Sequence, residues 1–424
     1  MSIGAELVER ARRFMAESRL REHVALATKY TVNSLPPRTV LAAMCTALLA
    51  FGVILTIPAF IGVLGKHYGI PDRALGRLSG AEFLVCVAGT YLTNNRSIAE
   101  LSRWVPWLCA VAAAADLMGV LLVARVPLIL FHPLAAFGAG VAYGYVLKVV
   151  DASGRQQRNF GIFLALFNFT MLGEFQLIAY TTEKFSTASV FFIYAAGAIG
   201  ALIISSITKS TLAPAPVFAK ASLQPHGAGH RPRPAVLASI FAMMITNVAY
   251  GMIWPFAQLI GAARGFEAMS IANGLSAYAV TAIAGSLMAA ALPQNVNRTL
   301  VFCTSLCVSL GSIYSLYMGM SYTWFFLGCA GFGLFWPFYN TLHLGIVAKA
   351  DDTGRGIVLC GIAPSIGAVV GSLLGGMFVH GDNYLIQAGV AAGVCVLGIA
   401  CVLATLPRMG RRESVFPAPR VSSS

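Results

Sequence analysis

Glu82, Asp116, His132 and Glu174 are ionisable residues standing inside long apolar stretches. A charge in hydrocarbon is costly, so such groups are kept for ion pairing or for moving an ion or proton. Glu82, Asp116 and Glu174 are expected as proton-coupling groups, because a carboxyl group in that setting can take up and release a proton. The plainer reading makes them structural ties to arginines or helix amides near the outer surface. His132 reads more simply as a satisfied histidine at the membrane interface. Lys148 sits near a span end, where it either snorkels to the interface or meets a substrate anion.

A second set has the spacing of helix faces. Asn247, Tyr250, Trp254 and Gln258 recur every three or four residues, as do Trp336, Tyr339, Asn340 and His343. Tyr143 is a further aromatic in an apolar run. Polar-aromatic faces are poor lipid partners, so these nine residues are expected to line an interior cavity for a small organic solute. The competing reading is packing and helix–helix hydrogen bonding.

The elements that must carry these residues follow from composition. The 424 residues are 58% hydrophobic and 11% charged, with mean hydropathy +0.76. A soluble domain carries about 25% charged residues, so lipid is the main solvent. Twelve spans of the required length are expected at 39–64, 75–95, 104–124, 127–150, 159–181, 186–207, 234–261, 269–292, 299–319, 322–348, 356–379 and 383–405. The nine cysteines lie in apolar runs without a CxxC pair and read as small packing residues. Net charge is +13. With both termini inside, 22 of the 29 Lys and Arg fall in cytoplasmic segments and six outside, which sets orientation and disfavours a nucleic-acid partner. Residues 1–38 hold no signal peptide pattern.

The chain also repeats itself. Pro58 pairs with Pro255, Gly65-x-x-x-Gly69 with Gly261-x-x-x-Gly265, and Ala88-Gly89 with Ala284-Gly285. "DASGR" at 151–155 pairs with "DDTGR" at 351–355, and Gly161-Ile162 with Gly361-Ile362. The offsets stay within 196–200 residues, the mark of two parallel copies of one unit. The expected organisation is a basic segment 1–38, a six-helix half 39–208, a Pro- and Gly-rich linker 209–233, a second half 234–406 and a disordered tail 407–424. The basic segment is either a helix on the membrane surface or a solvated tail. The Asp-x-Ser/Thr-Gly-Arg loops suit type I turns. Arg96, Asp151, Arg155, Asp352 and Arg355 are candidates for a cytoplasmic gate.

Twelve spans in two halves with a central loop resemble the major facilitator superfamily of secondary transporters. That family's loop after span two is Gly-x-x-x-Asp-Arg/Lys-x-Gly-Arg/Lys-Arg/Lys. Here "GTYLTNNRSIAELSR" (89–103) keeps Gly89, an Asn at 94 or 95, Arg96 and Arg103, but lacks the Asp and second Gly. The resemblance implies an all-α membrane protein with spans one, four, seven and ten around a cavity, and two, five, eight and eleven between the halves. It also implies alternating access. Gly367-x-x-x-Gly371-x-x-x-Gly375 and Gly140-x-x-x-Gly144 suit close helix approach.

The resulting expectation is a monomeric transporter of the inner (cytoplasmic) membrane. It would move an organic acid or aromatic metabolite, coupled to protons. An uncoupled facilitator or exporter of the same fold, and a transporter-like sensor, are the alternatives. No HExxH, GxSxG or Walker motif points to an enzyme, and no cofactor or metal is expected.

Overall fold

The computed structural model describes residues 35–94, 96–123, 125–153, 156–209, 234–292, 296–318, 321–350, 355–379 and 383–410. The basic amino-terminal segment up to 34, the linker 210–233 and the tail from 411 lie outside the described residues, as do Arg155 and Asp352. No strand occurs among the described residues.

The first helices are α1 (Pro37–Ala50), α2 (Gly52–Leu55), α3 (Ile57–Tyr68), α4 (Asp72–Leu92) and α5 (Ile98–Leu122). A 3-10 turn, Leu128–Leu130, leads into α6 (Pro133–Asp151), α7 (Gln156–Lys184) and α8 (Ser189–Lys209). After the linker come α9 (Pro234–Ile253), a 3-10 turn Trp254–Phe256, and α10 (Ala257–Ala263). The rest are α11 (Ala268–Ala291), α12 (Arg298–Met318), α13 (Tyr322–Ala350), α14 (Arg355–Phe378) and α15 (Leu385–Gly410).

Local chemistry explains several ends. Proline opens α6 and stands in the first turn of α1, where a missing N–H costs nothing. Ser97 caps α5 through a capping box with Glu100: the Glu100 amide donates to Ser97 Oγ at 3.2 Å, and the Ser97 amide to Glu100 Oε2 at 2.8 Å. The last helix outruns its expected end at 405 by five residues, to Gly410.

Two expected spans are not single helices. Span one is broken at Phe51 and again at Thr56 (φ −108°, ψ 27°), just before Pro58. Span seven is broken at Trp254–Phe256, around Pro255. Proline removes the amide that would bond one turn back, so each rod bends at the prolines that the sequence repeat aligns. Each broken rod then ends alike, on Gly69 (φ 62°) and Gly265 (φ 77°), the positive-φ glycines among the described residues. Glycine takes that left-handed position at no steric cost.

Eight helices are long and apolar enough to cross a membrane, and the chain is a multi-pass membrane protein. The eight include the bent Pro234–Ala263 rod; of the other expected spans, the first is divided into pieces of 14, 4 and 12 residues. The α4 helix carries Asp72, Arg73, Arg77 and Glu82. Leu121, Phe169 and Trp107 stand more than 70% exposed on the outer faces of the bundle, as side chains facing lipid do.

Helix α9 packs on α14 and α15, α11 on α13, α4 on α6, and α5 on α8. The glycine stripe of α14 lies against α9, where a Cβ at Gly371 would strike the Val248 carbonyl. Gly140 of α6 likewise abuts Cys86 of α4. Among the described residues, the main pairings that join the helices before the linker to those after it are α4 with α14, α7 with α11, and α3 with α10 and the Trp254–Phe256 turn before it. At the first, Gly76 and Gly376 meet backbone to backbone, a Cβ on Gly76 falling 2.8 Å from the Gly376 Cα.

Candidate functional site

The ionisable residues come from three elements that converge. Mid-helix Glu82 is on α4, and Asp116 lies near the far end of α5. The Leu128–Leu130 turn then presents His132 as the residue before α6, its amide donating to the Leu128 carbonyl at 2.8 Å. His132 Nδ1 stands 2.7 Å from Glu82 Oε1, a short hydrogen bond. His132 Nε2 is 3.4 Å from Asp116 Oδ1, an ion-pair separation and not a well-formed hydrogen bond. All three side chains are buried. Phe60 of α3 lies flat on the imidazole at 4.5 Å between centroids, and Phe191 of α8 meets it edge-on at 5.9 Å.

Such a group titrates as a unit, since a proton on one member changes the field at the others. Adding or removing one proton changes the net charge of a site enclosed by apolar rings, where uncompensated charge costs several kcal/mol. The cluster also has spare capacity: Glu82 Oε2 is buried without a hydrogen-bond partner. The sequence pointed to both carboxylates but not to their joining, because His132 lies 50 residues from Glu82. A histidine before a proline in an apolar run was the available signal.

Glu174 is elsewhere. It projects from α7 toward α2, its Oε1 so close to Gly52 that a Cβ there would sit 2.6 Å away. Its Oε2 is buried without a hydrogen-bond partner.

The polar-aromatic residues divide. Asn247 Oδ1 accepts from Trp336 Nε1 at 2.8 Å, and Asn247 Nδ2 donates to Asn340 Oδ1 at 3.0 Å. Tyr250 stacks on Trp336 at 4.9 Å and donates to or accepts from Tyr278 at 2.9 Å. Trp254 lies 3.9 Å from Tyr278 and meets Phe175 of α7 edge-on at 6.1 Å. These residues form one wall. Tyr339 and His343 sit one face over: Tyr339 donates to Thr246 Oγ1 at 2.9 Å, His343 Nε2 is 2.9 Å from Ser239 Oγ, and Phe302 packs on both. Gln258 packs against Gly62 at the α3–α10 contact. Tyr143 is half-buried against Phe51, their ring centroids 5.1 Å apart. Sequence reasoning missed Tyr278, whose α11 face carries no second ring at helical spacing.

At the end of α4, Arg96 lies 4.7 Å over the Trp104 ring, and Lys148 Nζ donates to the Asn94 and Arg96 carbonyls at 2.9 and 2.6 Å. Lysine thus satisfies carbonyls of the turn that follows α4. Asp151 ends α6 and Arg355 opens α14. Among the described residues no cluster suits a metal ion.

This arrangement has relatives among solved structures. One, from work on substrate recognition in proton-dependent oligopeptide transporters, shares 14% identity over 88% of this chain and 99% of its own, with TM-score 0.61. The nucleoside transporter NupG shares 12% over 87% of this chain and 98% of its own, with TM-score 0.62. The chain has the major facilitator fold. An aspartate-to-alanine variant of NupG agrees, at 12% identity, 87% and 100% coverage and TM-score 0.63. These neighbours are transporters, not enzymes. No family model and no curated protein matches the sequence.

Proposed function

We propose that this chain is a proton-coupled secondary transporter that moves a small organic solute by alternating access. The observation that carries the reading is the buried Glu82–His132–Asp116 cluster inside a transporter fold. A structural ion pair needs one partner of each sign. Two carboxylates on one imidazole, with acceptor oxygen left over, suit a group that gains and loses a proton during the cycle.

The twelve rods form two halves, 39–208 and 234–406, when α1–α3 and α9–α10 are each counted as one bent rod. Proline breaks and left-handed glycines at corresponding places in both rods support that grouping. Both termini lie in the cytoplasm of the inner membrane, on the charge asymmetry of the loops. The wall of Asn247, Tyr250, Trp254, Trp336 and Asn340 faces the solute. Rings beside amides recognise a flat or aromatic organic molecule by stacking and hydrogen bonds. Gln176 donates across the halves to Asn273 and Ser276, at 3.0 and 2.9 Å, toward the outer ends of their helices. They support a state closed outside and open to the cytoplasm.

Purified protein in liposomes tests this. After a screen identifies the solute, its uptake should rise with an inward proton gradient. Replacing Glu82, Asp116 and Glu174 together by their amides should abolish gradient-driven accumulation while leaving solute counterflow. Accumulation that survives the triple replacement rules out coupling through these groups.

A further inference from the structure

The three buried carboxylates are not one cluster, and what separates them is the break in the first rod. Glu174 backs onto Gly52 at the start of the break. Thr56, at its end, donates its hydroxyl proton to the Gly52 carbonyl at 2.9 Å. Its only proton is then used, so the 2.9 Å contact with Tyr194 is the Tyr194 hydroxyl donating to Thr56 Oγ1. Thr56 and Tyr194 are both buried. One turn further on, Phe60 covers His132, with the Tyr194 ring against it at 5.7 Å. The nine residues from Gly52 to Phe60 therefore touch Glu174 at one end and lid the His132 cluster at the other.

We propose that Gly52–Phe60 is the element through which the two proton sites act on each other, with Thr56, Tyr194 and Phe60 as positioning residues. The proposal rests on the proton-coupled reading above. The Tyr194–Thr56 hydrogen bond holds the break closed, and Phe60 then shields the imidazole from water. A proton change at Glu174 moves the chain at Gly52. That movement strains the Thr56–Tyr194 bond and lifts Phe60 from His132, exposing the cluster for exchange. Pro58 has no amide to bond one turn back, so the segment can bend there at the cost of the few bonds that span its breaks, Phe51 N–H to the Ala47 carbonyl and Thr56 N–H to the Gly52 carbonyl among them. The groups facing His132 are Glu82 from α4 and Asp116 from α5, and α3 contributes only the Phe60 ring. The Tyr194 hydroxyl of α8 lies within electrostatic range of Glu82, Asp116 and Glu174, and Cys86 of α4 within range of Glu82.

The test needs no knowledge of the solute, because protons are the probe. Wild type and variants are reconstituted in liposomes holding a pH-sensitive dye, and the proton leak is followed under an imposed gradient. Phe60→Ala and Tyr194→Phe should each raise the leak roughly tenfold, the effect of weakening the closed state by one decade in its equilibrium constant. Thr56→Val should do the same and Thr56→Ser should not, since serine keeps both hydrogen bonds. Adding His132→Gln to Phe60→Ala should remove the extra leak, and a role in packing alone would not produce that reversal. Tyr194→Phe and Thr56→Val delete only hydroxyl groups, so they keep the test alive if Phe60→Ala does not fold. A wild-type leak in folded Tyr194→Phe and Thr56→Val overturns the proposal, as does extra leak that persists without His132. A wild type whose solute flux moves no protons would instead sink proton coupling itself.

Discussion

At the scale of single residues, what matters is which polar atoms are paired. Asn247 is the centre of its wall: its amide donates to Asn340 and to the Met243 carbonyl, and its oxygen accepts from Trp336. Removing it takes the partner from the half-buried Trp336 Nε1 and Asn340 Oδ1, at a cost below the about 1–3 kcal/mol of a fully buried unpaired group. Asn247→Ala should therefore lower the melting temperature and weaken solute affinity together. Trp336→Phe keeps the ring against Tyr250 but drops its N–H, so it should weaken binding with a smaller loss of stability. Melting curves beside solute titrations check both, and equal stability losses would contradict the central place of Asn247. Much of this wall was legible, because three-and-four spacing puts side chains on one face whatever surrounds them. The division of the α13 set was not. Trp336 and Asn340 differ from Tyr339 and His343 by about one face, and only the placement of α12 with its Phe302 settles which way each pair turns. His132 shows the same limit. Its type and its proline neighbour were visible, but its two partners arrive from helices 16 and 50 residues away in sequence.

At the scale of elements, breaks and glycines decide how helices meet. Apolar periodicity marked the first and seventh rods as spans but could not show that they bend, since a broken helix is as greasy as a straight one. The prolines held that information, and the internal repeat held it twice. The contact of α4 with α14 depends on having no side chain at two facing positions. A Cβ on Gly76 would lie 2.6 Å from the Ser372 carbonyl and 2.8 Å from the Gly376 Cα. Both are backbone atoms, which cannot turn aside as a side chain can. Gly76→Val should hold these helices apart where they now touch. Transport should fall, and a cysteine placed on this outer contact, in a background freed of the native thiols, should label faster with a membrane-impermeant maleimide. Unchanged labelling and transport would mean that the two helices need not close here during the cycle. Gly367, Gly371 and Gly375 pack on α9, on the same side of the linker. Alanine there should cost stability more than it alters the cycle.

At the scale of the whole molecule, the distribution of charge is the governing fact. Composition alone established a membrane protein: 11% charged residues in 424 leave too few to coat a soluble body of this size. The carboxylates inside the bundle, among the described residues, then fall in one part, while the buried His343 belongs to the other. Glu82, Asp116, His132 and Glu174 all precede the linker, whereas the wall of amides and rings follows it. On the proposed proton-coupled reading, this separation gives proton handling to the part before the linker and solute recognition to the part after it, so that the solute is accommodated without a fixed countercharge. The two functions should therefore come apart under mutation. His132→Gln should abolish the proton dependence of uptake while leaving equilibrium solute binding near that of wild type. Asn247→Ala should weaken binding while each solute still carries the wild-type number of protons. Solute binding by calorimetry, paired with the proton-to-solute ratio at static head in liposomes, measures both quantities on the same preparations. Loss of binding in His132→Gln, with the fold intact, would mean that the solute reaches across the halves to the carboxylates, and the division of labour would fail.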